Sequence, residues 1–389
     1  MTDLSALAAD LPVSTEPVHR IVVVAEPNEL AHHLQAWEQL VEQAAEPNAF
    51  YEPWALLPAL RHLRGGQAVR VLLFFRDSER TVLDGILPLF GRSYGRLLAC
   101  LHTYRHRYCF SAEPLLRRGR ESEVAHSFVA WLRQFRYPLL SLRGLDAEGA
   151  WLRELRPALQ RCGLRFLPAA PVQRALLPLE GGLEAFLERT PAKKRKEYRR
   201  LRERLAGLGD LQVDVLRPGA RDLQSWLDAF VALELKGWKG REGTALGSRP
   251  ECRRFFEETA RSAHERGLLV MMRMSLDGKP LAMLCDLLAP PGRYAFKTAY
   301  DEDYSRFAPG VLLEIENATL SFQDPRGVEW LDSCAAPDNA LLNRLYPGRR
   351  SLSDLTICPQ GLAWAGLMAS SGLKRLRQRW RLEEAGRTA

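Results

Sequence analysis

One order of elements occurs twice along the chain, and this repetition is the feature that most restricts the fold. Hydrophobic periodicity predicts two helices, three strands, a helix and a strand from about Asn28 to Leu145, and the same order from about Asp222 to Ser333. Short polar turns such as DSER and LDGKP join the strands, as is typical of hairpins. Hairpins followed by a crossover helix predict an α/β (α+β) fold in which each copy has a mixed, mostly antiparallel sheet flanked by helices.

The repetition also predicts how the chain divides into domains. We expect an N-terminal domain at residues 1–180, a C-terminal domain of the same fold at residues 181–358 and a basic helical tail at residues 359–389. Within the tail, Leu373–Leu382 reads LKRLRQRWRL, which is amphipathic and rich in arginine. This segment predicts either a terminal helix that covers the second domain or a peripheral contact with an anionic membrane or a partner.

Charge and cysteine content narrow the classes of function. The formal charge of +8 favours anionic partners, among them phosphate-rich cofactors. The seven cysteines are scattered without a CxxC pair, as expected of thiols in a reducing compartment. The N-terminus lacks the pattern of a signal peptide, and the longest apolar tract, Gly361–Leu373, is too short to span a bilayer. We therefore predict a cytoplasmic protein.

A basic stretch, TPAKKRKEYRRLRERLAGLGDL, lies between the two copies. Thr190 and Pro191 predict that a helix begins there, and Gly207 predicts its end. One narrow apolar stripe runs along this helix and consists of Tyr198, Leu201, Leu205 and Leu208. The helix is therefore expected to pack on the domain by one edge.

The first turn of this helix carries Lys193, Lys194 and Arg195 beside the positive end of the helix dipole. Cations in that position cost a few tenths to about 1 kcal/mol, where acidic residues would be favourable. The cluster predicts an anion site for a phosphate of CoA, of carrier-bound phosphopantetheine or of tRNA, or for an acidic substrate; the alternative is a solvated helix face. A nucleic-acid arm is less well supported, because the stretch has only one aromatic residue, Tyr198.

Four stretches carry a resemblance to a known family: FLERTPAKKRKEYRRLRERL, LKGWKGREGTAL, FKTAYDEDYSRFAPGVLLEIENA and LDSCAAPDNALLNRLYPGRR. Over about Phe186–Leu355 they resemble GNAT N-acetyltransferases of the CelD-like, cellulose-biosynthesis type, which are related to FemAB-type aminoacyl transferases. The resemblance implies tandem GNAT-like domains. It also implies transfer of an acyl group, without a metal, from acetyl-CoA or another acyl-CoA to an amine on a small molecule or a carrier-bound substrate.

The resemblance implies a donor site at the start of the helix that Pro309 and Gly310 open. In GNAT enzymes the pyrophosphate of acyl-CoA binds the free N–H groups of this helix terminus. The expected contacts here are Arg306, Gly310 and Val311, assisted by Lys193, Lys194 and Arg195. The family's usual loop has two spaced glycines, whereas this one has a single glycine, and Pro309 lacks an N–H. Both an acyl-CoA cradle and a plain helix start, as in FemAB-type relatives that use aminoacyl-tRNA, stay open.

Lys297 and Asp332 are candidate catalytic residues because of their places on strands. Lys297 lies in mid-strand, where a buried lysine is costly unless it is paired. Asp332 ends the next strand, where side chains commonly border a crevice; the alternatives are an ion pair or a helix cap.

Two further catalytic candidates lie outside strands. The resemblance implies that Tyr346 is the acid for the departing thiolate, with a core tyrosine as the alternative. Glu242 is a candidate general base in the glycine-broken helix end KGWKGRE, with a helix C-cap as the alternative. The residues expected to contact the substrate are Trp238, Lys239, Tyr300 and Tyr304.

Two motifs are interpreted as coincidental. GRSYG, ending at Gly95, matches the nucleophile elbow of hydrolases, but a strand is predicted after it where the elbow needs a helix. The spacing of Cys100, His102, His106 and Cys109 fits no common zinc site. Three functions remain: an acyl-CoA-dependent N-acyltransferase, a FemAB-like tRNA-dependent aminoacyl transferase, and a non-catalytic anion or nucleic-acid binder with the same fold.

Overall fold

The computed structural model describes residues 18–94, 98–134 and 139–358. The first half contains β1 (Arg20–Val24), α1 (Pro27–Ala31), α2 (Leu34–Glu42), α3 (Pro53–His62), β2 (Val69–Phe75), β3 (Leu83–Tyr94), β4 (Leu98–Thr103), β5 (Leu115–Leu116), α4 (Glu121–Arg133), β6 (Leu139–Asp146), α5 (Ala150–Arg161), β7 (Arg165–Pro168) and β8 (Val172–Pro178). Two helices link the halves, α6 (Gly182–Arg189) and α7 (Ala192–Ala206). The second half contains β9 (Leu211–Val215), α8 (Leu223–Lys236), α9 (Trp238–Arg241), α10 (Pro250–Glu265), β10 (Leu269–Leu276), β11 (Lys279–Ala289), β12 (Gly292–Tyr300), α11 (Pro309–Ser321), β13 (Trp330–Asp332), α12 (Ala340–Leu345) and β14 (Gly348–Cys358).

Hairpin turns form where the sequence predicts them. Asp277 and Gly278 join β10 to β11 with φ angles of 49° and 77°. A two-residue turn with positive φ at both positions matches the twist of the strands on either side, and Asp-Gly is one of the pairs that adopt it readily. The predicted turn LDGKP is therefore confirmed, and it fixes the register in which Leu276 pairs with Lys279.

The fourteen strands of the described residues form one sheet. Its central path runs β1-β2-β3-β4-β6-β14-β8-β13-β12-β11-β10-β9. Within each half, antiparallel strands are followed by one parallel step, β4 beside β6 and β12 beside β13. The predicted fold class is confirmed: the sheet is mixed, mostly antiparallel and flanked by helices, and the order of elements repeats.

The halves exchange strands at the centre of the sheet. β8, from the end of the first half, pairs with β13 of the second half. β14, from the end of the second half, pairs with β6 and β7 of the first half as well as with β8. The predicted boundary at residues 180 and 181 stays a prediction, and the tail at 359–389 lies outside the described residues.

Helices cover both faces of the sheet. Alternate residues of β2 face opposite sides: Val71 and Leu73 join one core cluster, whereas Leu72 and Phe74 join another. Helices α3, α8 and α10 bury their apolar residues in the first cluster, which continues through both halves. On the other face, α4 and α5 cover the first half, and α7 and α11 cover the second.

Aromatic side chains join the halves within the shared core. Phe50 contacts Tyr294 with ring centroids 5.2 Å apart, and Tyr108 stacks on Phe255 at 5.7 Å. The Tyr294 hydroxyl donates to the Pro47 carbonyl at 2.7 Å. Among the described residues, no helix combines the length and the apolar character needed to cross a bilayer.

The predicted basic helix is α7, and it packs by one edge. It begins at Ala192 after Pro191, whereas Thr190 ends α6 and does not cap α7. Leu205 is fully buried, and Tyr198 and Leu201 are partly buried against the same cluster. The predicted stripe is wrong at Leu208, which is 49% exposed because α7 ends at Ala206.

We predict that Leu205→Ala lowers the free energy of unfolding by about 2–5 kcal/mol, because it removes a fully buried side chain and leaves a cavity. Leu208→Ala is the matched control and should change it by less than about 0.5 kcal/mol. Urea denaturation of both variants measures the difference. Equal losses in the two variants would contradict the packing of α7 described above.

Candidate active site

A cavity of about 700 Å³ lies where β12 and β13 separate. The two strands pair in parallel only from Gly292 to Tyr294 on β12. Beyond that point β12 pairs with β11 but no longer with β13, and residues 295–300 form one wall of the cavity. Residues 333–336, after β13, form the facing wall. Other lining residues come from the start of α11, from α8, α9 and α12, and from the first-half residues Arg107, Tyr108 and Phe110.

A β-bulge explains why the strands part. On β11, Leu287 and Cys285 are two residues apart, but their partners on β12, Tyr294 and Lys297, are three apart. The extra residue on β12 bends that strand locally and increases its twist. The parallel pairing with β13 ends at Tyr294, the residue at which the bulge begins.

Two lysines share one buried carboxylate at the wall formed by α8, α9 and β12. Lys297 donates to Glu234 Oε1 at 3.0 Å, and the Lys239 ammonium lies 3.5 Å from the same oxygen. The second oxygen of Glu234 accepts the Leu246 N–H at 2.7 Å. Lys239 also donates to the Thr298 carbonyl at 2.6 Å, and burial together with the charge of Lys297 lowers its pKa. One carboxylate against two ammonium groups leaves this wall with net positive charge.

Acidic residues tie α9 to the 3-10 helix Glu302–Phe307 at the rim of the cavity. Glu302 accepts the Arg241 guanidinium and the Trp238 N–H, each at 2.7 Å, and these hydrogen bonds lower its pKa. Lys236 donates to Asp301 at 2.7 Å and to Asp303 at 2.6 Å. The glycine-broken segment KGWKGRE is thus anchored through Lys236, Trp238 and Arg241.

The start of α11 offers one free backbone donor to the cavity. Ala308 adopts the left-handed conformation with φ 50° and precedes Pro309, which has no N–H. The Val311 N–H donates to the Ala308 carbonyl at 3.0 Å, and no described residue accepts the Gly310 N–H. A Cβ placed at Gly310 would be in van der Waals contact with the Tyr300 ring, 3.4 Å away, so the missing side chain leaves that space to the cavity.

Glu314 is a cavity residue that sequence reasoning missed. It lies one turn into α11, is buried, and lines the cavity. The Tyr346 hydroxyl donates to one of its oxygens, and Asn317 donates to the same oxygen at 3.3 Å. The available signal was a glutamate and an asparagine three residues apart in LLEIENA, on a helix whose other buried residues are mostly apolar. Sequence reasoning also missed Glu234, in VALELK, which is likewise a buried acid on a helix whose other buried residues are apolar.

The cavity brings together six of the predicted site residues: Trp238, Lys239, Lys297, Tyr300, Gly310 and Val311. Of the other candidates, Glu242 ends α9 in an exposed position, and Arg306 is exposed with its guanidinium over the Phe307 ring. Tyr304 packs against the apolar cluster beneath α7 and α11. None of these three lines the cavity.

The three cations of the basic helix also lie away from the cavity lining. Lys194 pairs with Glu197 at 2.7 Å, and Arg195 donates to the Leu187 carbonyl at 3.1 Å. Arg204, near the other end of α7, lies over Phe307 beside the start of α11. The rise of an α-helix places Lys193 roughly 16 Å from Arg204 along the axis.

Asp332 and Tyr346 are buried, and neither lines the cavity. Asp332 accepts hydrogen bonds from Arg174 at 2.6 Å and from Arg350 at 2.9 Å. These contacts match the ion pair given above as the alternative to a catalytic role. Tyr346 is fully buried and does not line the cavity, although its hydroxyl bonds Glu314, which does. Among the described residues, no group of His, Cys, Asp and Glu is arranged to hold a metal ion.

One protein-family model matches part of the second half. Residues 192–339 match the family model described as an acetyltransferase (GNAT) domain. This range includes α7, both strands that border the cavity and the start of α11. No curated protein matches the chain.

Solved structures resemble the whole described fold at low sequence identity. FemX aligns with a TM-score of 0.55 at 11% identity, over 87% of this chain and 96% of its own. A conserved protein of unknown function from Bacteroides thetaiotaomicron aligns at 0.53 and 10% identity, over 84% and 97%. The C-terminal domain of a protein assigned as a lysylphosphatidylglycerol synthetase, from Agrobacterium fabrum, aligns at 0.51 and 12%, over 88% and 96%. These three likenesses concern the fold alone. The chain contains a GNAT-type acetyltransferase domain, and it is an acyltransferase.

We predict that Asp332→Asn lowers the free energy of unfolding by about 3–5 kcal/mol, because it leaves the buried Arg174 without its anion and removes one of the two carboxylates beside Arg350. Asp338→Asn, an exposed change in the following loop, is the matched control and should have little effect. Chemical denaturation measures both. A loss of activity in Asp332→Asn at unchanged stability would instead favour the catalytic role predicted for Asp332.

Proposed function

We propose that this acyltransferase moves an acyl group, acetyl in the simplest case, from acyl-CoA to an amine by direct attack in the gap between β12 and β13. The observation that carries the proposal is the cavity itself. It lies at the separation of two parallel strands, beside a helix N-terminus, with aromatic and charged side chains on its walls. Cavities with a few convergent polar groups in a mostly apolar lining are typical of small-molecule sites.

The start of α11 is the proposed donor end. The free Gly310 N–H and the positive end of the helix dipole suit a phosphate group. The absence of a side chain at Gly310 lets a ligand approach the backbone. From there the cavity follows β12 past Tyr300 toward Lys297, which gives an extended donor a path to the acyl-transfer position.

The lysine-rich wall is the proposed place where the acyl carbonyl lies. Charge develops on the carbonyl oxygen during attack by an amine, and fixed positive charge nearby stabilises it. Lys297 and Lys239 are already held by Glu234, so they need little reorganisation to do this. Trp238, 44% exposed at the rim, is the proposed contact for the acceptor.

One observation favours a second candidate, an aminoacyl transferase that does not use CoA. Pro309 has no N–H and Val311 uses its own for Ala308, so the helix start presents a single donor where a pyrophosphate would engage several. The name of the Agrobacterium fabrum neighbour, a lysylphosphatidylglycerol synthetase, is consistent with this candidate. The proposed CelD-like subtype rests on the four stretches that resemble that type and on the GNAT match. A cytoplasmic location stays a prediction.

We predict that acetyl-CoA and CoA bind with micromolar affinity and that Gly310→Trp abolishes binding, because the indole fills the donor end of the cavity. Gly207→Trp is the matched control: it places the same side chain at an exposed residue with φ −69°, and it should leave binding intact. Isothermal titration calorimetry measures all three proteins.

Absence of binding at millimolar CoA in the unmodified protein would contradict the acyl-CoA proposal. Retention of aminoacyl-tRNA with strong salt dependence would then support the second candidate. Binding of CoA that persists in Gly310→Trp would place the donor elsewhere.

Replacing the cations at the start of α7 should affect the binding of a large acyl donor more than the binding of a small one. We predict that replacing Lys193, Lys194 and Arg195 with glutamine changes CoA affinity by less than about threefold at 0.15 M salt, because separations beyond about 8 Å are screened there. A large polyanionic donor would reach both ends of α7 and lose affinity steeply. Calorimetry on the triple variant measures the change in CoA affinity. A loss of CoA binding would show that these cations belong to the donor site, as the sequence predicts.

A further inference from the structure

Three carboxylates line the cavity, and their hydrogen bonds separate them. Both oxygens of Glu234 are occupied, one by lysines and one by the Leu246 N–H. Both oxygens of Glu302 are occupied, by the Trp238 N–H and by Arg241. Glu314 differs, because Tyr346 and Asn317 both donate to its Oε1 and no described residue donates to its Oε2. Its free oxygen is the one available to a ligand in the cavity.

A buried polar network holds Glu314 in place. Asn317, which donates to Glu314, also donates to Asp286 on β11 at 2.9 Å and accepts from Arg293 on β12. Arg293 donates to Asp286 at 2.8 Å and lies 3.7 Å from Asp324. Glu314, Asn317, Asp286 and Arg293 are buried, and their hydrogen bonds to one another hold the Glu314 carboxylate in place.

The charges facing Glu314 set its affinity for a proton. Burial raises its pKa to about 7, and the negative charge of Asp286 acts in the same direction. The hydrogen bonds from Tyr346 and Asn317, and the charge of Arg293, act against that rise. A carboxylate of this kind gains and loses a proton near neutral pH, the range in which a general base is most effective.

We infer that Glu314 is the general base of the acyl transfer, a role that rests on the proposed function. The nitrogen of a neutral amine attacks the acyl carbonyl carbon, the N–C bond forms, and the bond from that carbon to the leaving sulfur breaks. Glu314 Oε2 takes the proton released from nitrogen and returns it to the leaving sulfur. The donor and the amine thus become an amide and a thiol, and Glu314 ends as it began.

Tyr346 is a positioning residue in this scheme. Its hydroxyl donates to the Oε1 atom of Glu314, which directs Oε2 toward the cavity and stabilises the carboxylate form. Removing that hydroxyl should raise the pKa of Glu314 further. Tyr346 was expected to protonate the leaving thiolate itself, but it does not line the cavity and could act only through Glu314.

The first test detects the proton-binding group directly. Protein labelled with ¹³C at the glutamate carboxyl carbon is titrated by NMR, and the spectrum of Glu314→Gln is subtracted. We expect one resonance with a midpoint near pH 7 to disappear in Glu314→Gln and to shift to higher pH in Tyr346→Phe. Glu316→Gln, two residues along α11 at the partly exposed partner of Arg202, should leave that resonance unchanged. A Glu314 midpoint below pH 5 would overturn the inference.

The second test measures transfer from acetyl-CoA to benzylamine, a probe amine small enough for the cavity, by release of free thiol. We expect Glu314→Gln to lower kcat by about 10²–10⁴-fold, the usual contribution of a general base, with little change in KM. The fall in rate as pH drops through the Glu314 midpoint should be absent in this variant and shifted to higher pH in Tyr346→Phe. Glu316→Gln should match the unmodified enzyme.

The outcomes separate this inference from the proposed function. If Glu314→Gln transfers the acetyl group as well as the unmodified protein and binds CoA equally well, Glu314 is not the general base. The acyl-CoA proposal would then stand. If the protein binds no CoA but Glu314 titrates as expected and its midpoint shifts in Tyr346→Phe, the acyl-CoA proposal is wrong. Glu314 then remains the proposed base for a different acyl donor. Thermal unfolding of Glu314→Gln and Tyr346→Phe identifies any loss due to misfolding, and the NMR shift in Tyr346→Phe then decides.

Discussion

One buried carboxylate joins the two halves of the sheet, and the cavity depends on it. Asp332 ends β13 and accepts Arg174 from β8 and Arg350 from β14. Arg350 also lies 3.5 Å from Asp146 on β6, so a single guanidinium contacts both halves. With only three residues, β13 has few backbone bonds of its own, and the arginines hold the end at which it parts from β12.

Paired buried charges stabilise the junction between the halves, and paired charges also position the side chains that line the cavity beside it. Buried polar groups are costly unless they are hydrogen-bonded, and most of those around the cavity are fully paired. Glu234 holds two lysines, and Glu302 holds α9 to the 3-10 helix. Glu314 keeps one oxygen free in the midst of this paired set. A wall of fixed positive charge and one carboxylate with a free oxygen are the two elements that an attack by an amine on an acyl group requires.

Much of the fold could be predicted from the sequence, but the strand exchange could not. Periodicity of two or 3.6 identifies a strand or a helix, and Asp277-Gly278 identifies a turn, because these signals are local. Which strand pairs with β14 depends on contacts more than 170 residues away in the sequence, and the alternation of apolar residues is the same for either partner.

Some of the residues predicted for the candidate site line the cavity, and others lie outside it. Gly310, Lys297 and Trp238 line the cavity. Gly310 was predicted from the resemblance to GNAT enzymes, and Lys297 because a buried lysine in mid-strand is costly unless it is paired. Glu242 and Arg306 were chosen for their charge, and both are exposed. Glu314 was missed because a glutamate and an asparagine three residues apart on a mostly apolar helix are only a weak local signal; its burial follows from packing against β11, β12 and Tyr346.

Amide hydrogen exchange with and without CoA tests most directly whether the donor binds in the gap between β12 and β13. We expect CoA to slow exchange at residues 295–300, 308–311 and 333–336, which border the cavity, and to leave β1, β2 and β3 unchanged. Slowing confined to α7 or to the first half, or no change at saturating CoA, would contradict the placement of the donor in this gap.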